Sequence, residues 1–198
     1  MSFPSFKISR FIQKCAWSKK KLTPKQKIIL QKLITKPKLG RSRPSEYKHK
    51  RIALTLFSCF YGGLSYKRLY PKAFHFLDKP KAILAIAEKR LDTLLTRIKW
   101  ATTIHTARKW IVQRKICVNS QIVTKKNFQI SCGDLISIER SCFQEIKKLV
   151  IVPRKHISRY PDTPTHLEVN YKTLSATLLY EPQQIIFPHT IELHRLTY

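Results

Sequence analysis

The sequence predicts an α+β fold, and three patterns carry that prediction. Apolar residues recur at helical spacing as far as about residue 114, strand-like apolar stretches follow from Ile116, and Asn119-Ser120 and Gly133-Asp134 supply turns between them. At 198 residues the chain suits one or two small domains. It divides into a basic N-terminal arm (1–37), a small helical domain (38–80), a module of two helices packed on a small antiparallel sheet (81–140), and a loop with a C-terminal hairpin and tail that completes the fold (141–198).

Taken in order, Ile28, Ile29, Leu30, Leu33 and Ile34 predict a short helix that stops near Pro37, and residues 45–60 read as helical again. Leu84, Ala87, Leu91, Leu94, Leu95 and Ile98 fall at i, i+3, i+4 spacing, which predicts one helix over 83–98. On such a helix Arg90 and Arg97, seven positions apart, share a side. Thr103 is the expected N-cap of a helix running to about Arg114, with Ile104, Ala107 and Ile111 inside and His105, Arg108 and Lys109 on an exposed turn. Strands are expected at Ile116 and Val118, Ile122, Phe128 and Ile130, and Leu135 to Ile138. Pro153, Pro161 and Pro164 argue for loop over 141–163, and the alternation from Leu167 to Leu178 predicts a second hairpin.

Charge bounds the function. The 39 Lys plus Arg against 11 Asp plus Glu leave a net charge of +28, which repels itself unless a polyanion neutralises it. A large acidic partner is expected. The surplus is concentrated at the start: residues 1–80 hold 20 basic residues against Glu46 and Asp78, whereas residues 141–198 hold seven against five. The first 45 residues contain no acid, as in a transit peptide, an RNA-threading arm or, over 1–25, a solubilising tail. Lys outnumbers Arg there, which favours the arm.

Other classes are excluded by composition. Four scattered glycines (Gly40, Gly62, Gly63, Gly133) do not make a phosphate-cradling loop, so no nucleotide cofactor is expected. Cys15, Cys59, Cys117, Cys132 and Cys142 form no C-x-x-C pair, so neither a disulfide framework nor a zinc site is expected. No apolar run reaches the ~18 residues of a membrane span. Neither a catalytic residue nor any cofactor or metal is assigned.

The pattern Arg90-Leu91-Asp92, Arg97, Ala107-Arg108-Lys109, Val118-Asn119 and Gly133-Asp134-Leu135-Ile136 resembles the RNA-binding module named after ribosomal protein S-four. Outside it, Arg43-Pro44-Ser45-Glu46-Tyr47 and Tyr61-Gly62-Gly63-Leu64 resemble the helical domain of that ribosomal protein family. Thr165-His166-Leu167-Glu168-Val169 and Leu178-Leu179-Tyr180-Glu181-Pro182 are similar to C-terminal segments of the family, the latter to versions encoded in plant mitochondria. The chain departs from the pattern at Ser120, usually Gly; at Thr106, usually acidic; and at His166, often Trp. The N-terminal cysteine cluster of some bacterial members is absent.

The resemblance implies a structural constituent of the small ribosomal subunit. It implies binding to the five-way junction in the 5′ domain of small-subunit ribosomal RNA, contacts with neighbouring small-subunit proteins near the messenger entry channel, and effects on assembly and decoding accuracy. The implied location is the matrix of the mitochondrion, with chloroplast or bacterial cytoplasm as alternatives. No membrane partner and no homo-oligomer is expected. The basic residues expected to meet RNA are Arg90, Arg97, Lys99, His105, Arg108, Lys109, Arg114 and Lys115 in the module, and Arg41, Arg43, Lys48, Lys50 and Arg51 in the helical domain. The plain alternative for each is a solvated charge. Asp92 is read as structural, paired with a nearby Arg, and Trp17, Trp100 and Trp110 as core or hinge aromatics rather than base-stacking platforms, with Trp100 after Lys99 as the exception to expect. Two rivals stand beside this reading: an RNA-modifying enzyme carrying the module as an appendage, and a free-standing ribosome-rescue or stress factor. The first needs a catalytic domain for which neither flank has the length; the motif around Tyr47 speaks against the second.

Overall fold

A computed structural model of the chain describes residues 5–12, 22–35, 45–154 and 165–181. Contacts divide it into two compact units, one within Met1–Tyr66 with Ile191–Tyr198 and one of Lys67–Thr190. In the second unit the turn Tyr70–Ala73 buries Ala73 fully and packs on the helix that follows it.

The first unit holds α1 (Ser5–Ile12), α2 (Pro24–Thr35) and α3 (Glu46–Phe60). The predicted stop at Pro37 lies outside the described residues. Helix α3 buries Phe57, whose ring meets Tyr61 at 4.8 Å and Tyr66 edge-on at 5.6 Å. The helix ends at Gly62 (φ 62°), where the Gly63 amide donates to the Ser58 carbonyl at 2.7 Å and the Gly62 amide to Cys59 at 3.4 Å. This two-bond closure needs a left-handed residue after the cap, so the Tyr-Gly-Gly motif is a helix stop.

The second unit is α+β. After α4 (Tyr66–Leu69) and the 3₁₀ turn Tyr70–Ala73 come α5 (Lys79–Glu88), α6 (Leu91–Arg97) and α7 (Ile104–Val112). Then follow β1 (Ile116–Val118), β2 (Gln121–Ile122), β3 (Leu135–Ile138), a 3₁₀ turn (Arg140–Cys142), α8 (Phe143–Arg154), β4 (Leu167–Asn170) and β5 (Ser175–Leu178). The strands form one antiparallel sheet in the order β2-β1-β3-β5-β4, so the C-terminal hairpin joins the sheet through β5 on β3. Leu91, Leu94, Leu95 and Ile98 of α6 and its end, Ala107 and Ile111 of α7, and Ile116, Ile136, Ala176 and Leu178 of the sheet form the core. Each fully buried Leu or Ile contributes about 1.5–3 kcal/mol.

Three expectations are corrected. The single helix over 83–98 is two helices, because Arg90 is extended (φ −72°, ψ 136°) and pairs with Gln129 as an isolated bridge. Around it the Leu91 amide donates to the Phe128 carbonyl and the Ile130 amide to that of Lys89, both at 2.9 Å, so the backbone exchanges helical bonds for sheet-like ones. Arg90 and Arg97 therefore do not share one helix face. The strand expected at Phe128 and Ile130 is only this bridge. Residues 143–154, read as loop, are α8: Ile146 and Val150, one turn apart, are buried, and Pro153 falls in its last turn, where it forgoes the bond an N–H would make to the Leu149 carbonyl. Pro161 and Pro164 lie outside the described residues.

Candidate nucleic-acid interface

The candidate face is built on a buried charge network. Asp92, at the start of α6, is fully buried, and its Oδ1 accepts from Arg90 Nε at 3.0 Å and from the Thr93 amide at 3.0 Å. Its Oδ2 accepts from Arg90 Nη2 at 2.9 Å and from Arg108 Nε of α7 at 2.7 Å. Glu88, at the end of α5 and also buried, takes a two-pronged contact from Arg97, Nε to Oε2 at 2.9 Å and Nη2 to Oε1 at 2.8 Å. Burying a carboxylate costs several kcal/mol unless such partners surround it, so these arginines hold α5, α6 and α7 together. Asp92 carries one negative charge between two guanidiniums, which leaves this surface positive.

Helix α7 starts as expected. The Thr103 hydroxyl accepts from the Thr106 amide at 3.2 Å, and the two hydroxyls lie 3.0 Å apart, so Thr106 keeps a polar link to the cap without a carboxylate. His105 and Lys109 are exposed on this helix, Arg108 is partly covered by its bond to Asp92, and the helix ends at Val112 rather than Arg114. Arg114 itself is left-handed (φ 60°) and exposed, as Lys99 is left-handed (φ 61°) and half-buried after α6. Both close their helices as Gly62 closes α3: the Trp100 amide donates to Leu95 at 3.2 Å and the Lys115 amide to Trp110 at 3.1 Å. Cations thus occupy positions where glycine is the unstrained choice.

The turns that follow explain the motif residues. Asn119 (φ 50°) and Ser120 (φ 66°) both take positive φ between β1 and β2, so Ser120 accepts the angle that glycine accepts freely. Asn119 Nδ2 donates to Asp134 Oδ1 at 2.8 Å, its Oδ1 accepts from the Leu135 amide at 2.9 Å, and Asp134 Oδ2 accepts from the Ser131 amide at 2.7 Å. The Asn119 and Gly133-Asp134 motifs are thereby one lock between two turns.

Of the remaining expected residues, Lys115 is turned to Glu145 of α8 at 2.8 Å. Lys48 and Arg51 are exposed on α3 and Lys50 is half-buried there; the Arg51 guanidinium lies over the Phe11 ring at 5.8 Å. Arg41 and Arg43 lie outside the described residues. Sequence reasoning passed over Lys125 and Lys126, exposed in the turn after β2; adjacent lysines beside Asn127 were the available signal. Cys117 donates its thiol proton to Glu139 at 3.1 Å, and burial together with that carboxylate pushes its pKa up to about 11, so it stays a thiol. Among the described residues no group of three His, Cys, Asp or Glu side chains is placed to hold a metal, and no helix is long and apolar enough to cross a membrane.

The S4 domain family model matches residues 89–136, the segment from the α5–α6 break to β3. Small ribosomal subunit protein uS4m of Marchantia polymorpha is 40% identical over 197 residues, spanning 96% of this chain and 97% of the relative. The chain belongs to the small ribosomal subunit protein uS4 family. Small ribosomal subunit protein uS4 of Bifidobacterium animalis subsp. lactis is 30% identical over 170 residues (82% of each chain), and that of Acidiphilium cryptum 24% over 157 residues (77% of this chain, 75% of the relative). The uS4 family is one of structural ribosomal proteins, and the chain is accordingly not an enzyme. The α+β class read from sequence is the class of the structure.

Proposed function

We propose that the chain is a structural constituent of the small subunit of the mitochondrial ribosome, held on small-subunit ribosomal RNA by the basic face of its second unit. The observation that carries this reading is the 40% identity to uS4m across nearly the whole of both chains, joined to a module whose exposed cations stand on a scaffold of buried ion pairs. His105, Lys109 and Arg114 are the direct contacts in this reading, with Lys99 at the rim. Arg90, Arg97 and Arg108 act chiefly by fixing the helices that display them. Lys48, Lys50 and Arg51 present a second basic surface on α3, and Arg41 and Arg43 are assigned to it from sequence. Structured RNA is recognised here through phosphates, 2′-hydroxyls and shape.

The finer role follows from the same reading: docking at the 5′-domain junction, contacts with neighbouring proteins near the messenger entry channel, and support of assembly and decoding accuracy. The expected organisation is an arm (1–37), a helical domain (38–80), the RNA-binding module (81–140) and a completing C-terminal region (141–198). Sedimentation of the tagged chain from mitochondrial extract through a sucrose gradient tests it. Co-migration with the small subunit at moderate salt is expected; confinement to the soluble top fractions would overturn the reading.

A further inference from the structure

The segment between the 3₁₀ turn and α5 is out of keeping with a solvated linker. Phe74 is 60% exposed, Phe76 44% and Leu77 fully so, although each could be buried at a gain in stability. The segment is pinned at both ends. Ala73 is fully buried before it, the Phe74 and Phe76 amides donate to the Pro71 and Ala73 carbonyls at 3.4 and 3.2 Å, and the Ala82 amide donates to Asp78 at 3.0 Å as α5 begins. The rings are therefore displayed by a fixed turn. The Lys79 ammonium lies over the Phe74 ring at 5.0 Å and near the Tyr70 ring at 5.8 Å, holding a cation against the aromatic pair.

The surrounding charge selects the partner. Lys67, Arg68 and Lys72 are exposed just before the rings, and the Asp78 carboxylate that follows them is paired with Lys81 at 2.8 Å. Phosphate contacts and base faces are needed together by single-stranded nucleic acid, whose bases stack on exposed aromatic rings while the backbone follows cations. Protein interfaces also use aromatic rings but are depleted of lysine, whereas here Lys79 lies on one ring and Lys67 and Lys72 stand exposed just before the pair. We propose that Phe74 and Phe76 form a stacking site for unpaired RNA bases, with Lys72 and Lys79 taking the flanking phosphates. The site rests on the RNA-binding reading above but adds a second recognition mode, base stacking beside the charge-led contacts of α7.

The test uses the full chain and two fluorescein-labelled probes of equal length and charge, a 12-nucleotide oligoadenylate and its abasic counterpart, read by anisotropy. The wild-type chain is expected to prefer the oligoadenylate by about tenfold or more, since each stacked base contributes at least about fivefold. Phe74→Ala with Phe76→Ala should erase that preference and leave abasic binding and the salt slope unchanged, while Phe74→Tyr with Phe76→Tyr keeps it. Both rings are exposed, and circular dichroism checks that the variants fold. An unchanged preference in the Ala pair, or equal loss in the Tyr pair, overturns the stacking site. A protein-contact role is the outcome in which the Ala pair binds both probes as wild type yet no longer sediments with the small subunit, and it too overturns the proposal. Binding to an isolated small-subunit RNA fragment is measured in parallel. Its failure in the wild-type chain would overturn the ribosomal reading, whichever way the probe comparison falls.

Discussion

Arg108 Nε reaches 16 residues back along the chain to donate to Asp92 Oδ2 at 2.7 Å, joining α7 to the first turn of α6. Because Arg90 holds the same carboxylate from the other side, removing Asp92 leaves two guanidiniums partly buried against each other with no counter-charge. Asp92→Ala is expected to cost about 3 kcal/mol of folding stability, the range for a broken buried pair with some solvent relief at the arginines. A urea titration against the wild-type chain measures it. A loss within ~0.5 kcal/mol would mean that the network is ornamental to the fold.

The same geometry separates arginines that hold the helices together from the exposed cations proposed to meet RNA. Arg97→Glu with Arg108→Glu sets like charges against Glu88 and Asp92, so the pair should unfold the second unit rather than weaken RNA binding alone. Lys109→Glu with Arg114→Glu changes the net charge equally at exposed positions and should keep the fold while lowering RNA affinity by several kcal/mol. Lys172→Glu, on the exposed turn between β4 and β5, is the charge control for Lys109→Glu and for Arg114→Glu taken singly and should cost much less than either. Circular dichroism and filter binding to a small-subunit RNA fragment at one fixed salt concentration read both effects. A folded Arg97/Arg108 pair, or an affinity loss in Lys172→Glu equal to those of the single Lys109→Glu and Arg114→Glu variants, would sink this division of labour.

Sequence patterning found what local chemistry specifies. Thr103 caps α7, the Asn119-Ser120 turn has its positive φ values, and Leu167 to Leu178 form a hairpin, each because a short stretch contains its own signal. Where long-range partners decide, the pattern misled. Leu91 and Leu94 continue the apolar period of Leu84 and Ala87, yet bonds from Phe128 and Ile130 break the helix between them; nothing within 83–98 announces that break. Pro153 hid α8 because its position in the last turn could not be known before the burial of Ile146 and Val150. Lysines and arginines were all legible as charge, but their division into scaffold and surface depends on Glu88, Asp92 and Glu145 finding them in space.

His166 gives the chain a pH response. The residue is buried beside Tyr180 at 6.2 Å between ring centroids, and neither ring nitrogen finds a partner among the described residues. Burial holds its pKa below the ordinary value; the Glu88 carboxylate opposes that shift and Arg97 reinforces it. The unfolded chain therefore takes up the proton first, so this contribution to stability is present above about pH 6.5 and is lost as pH falls through that value toward the folded pKa. His166→Phe removes the titration and keeps an aromatic ring in place. Urea titrations at about pH 7.5 and 5 should show a smaller loss of stability on acidification in the variant than in the wild type. Equal losses would show that His166 does not report pH.

Lys99 and Arg114 pose a choice between stability and binding. Each is a left-handed residue closing a helix, α6 and α7 respectively, through amide bonds one and two residues beyond the cap. For a residue with a Cβ that conformation costs about 1 kcal/mol relative to glycine, part of which is offset by the greater freedom glycine has in the unfolded chain. If the two positions served only as helix stops, Lys99→Gly with Arg114→Gly would raise stability and change nothing else. As cations proposed to meet RNA, they should show both effects together. The double variant is expected to gain about 0.5–1 kcal/mol per site in urea unfolding, to lose affinity for the small-subunit RNA fragment, and to show a salt dependence shallower by about one to two phosphate contacts. Stability without loss of affinity would assign both residues to backbone geometry alone. Loss of affinity with an unchanged salt slope would mean that the cations act by shaping the helix ends, and not by meeting phosphate.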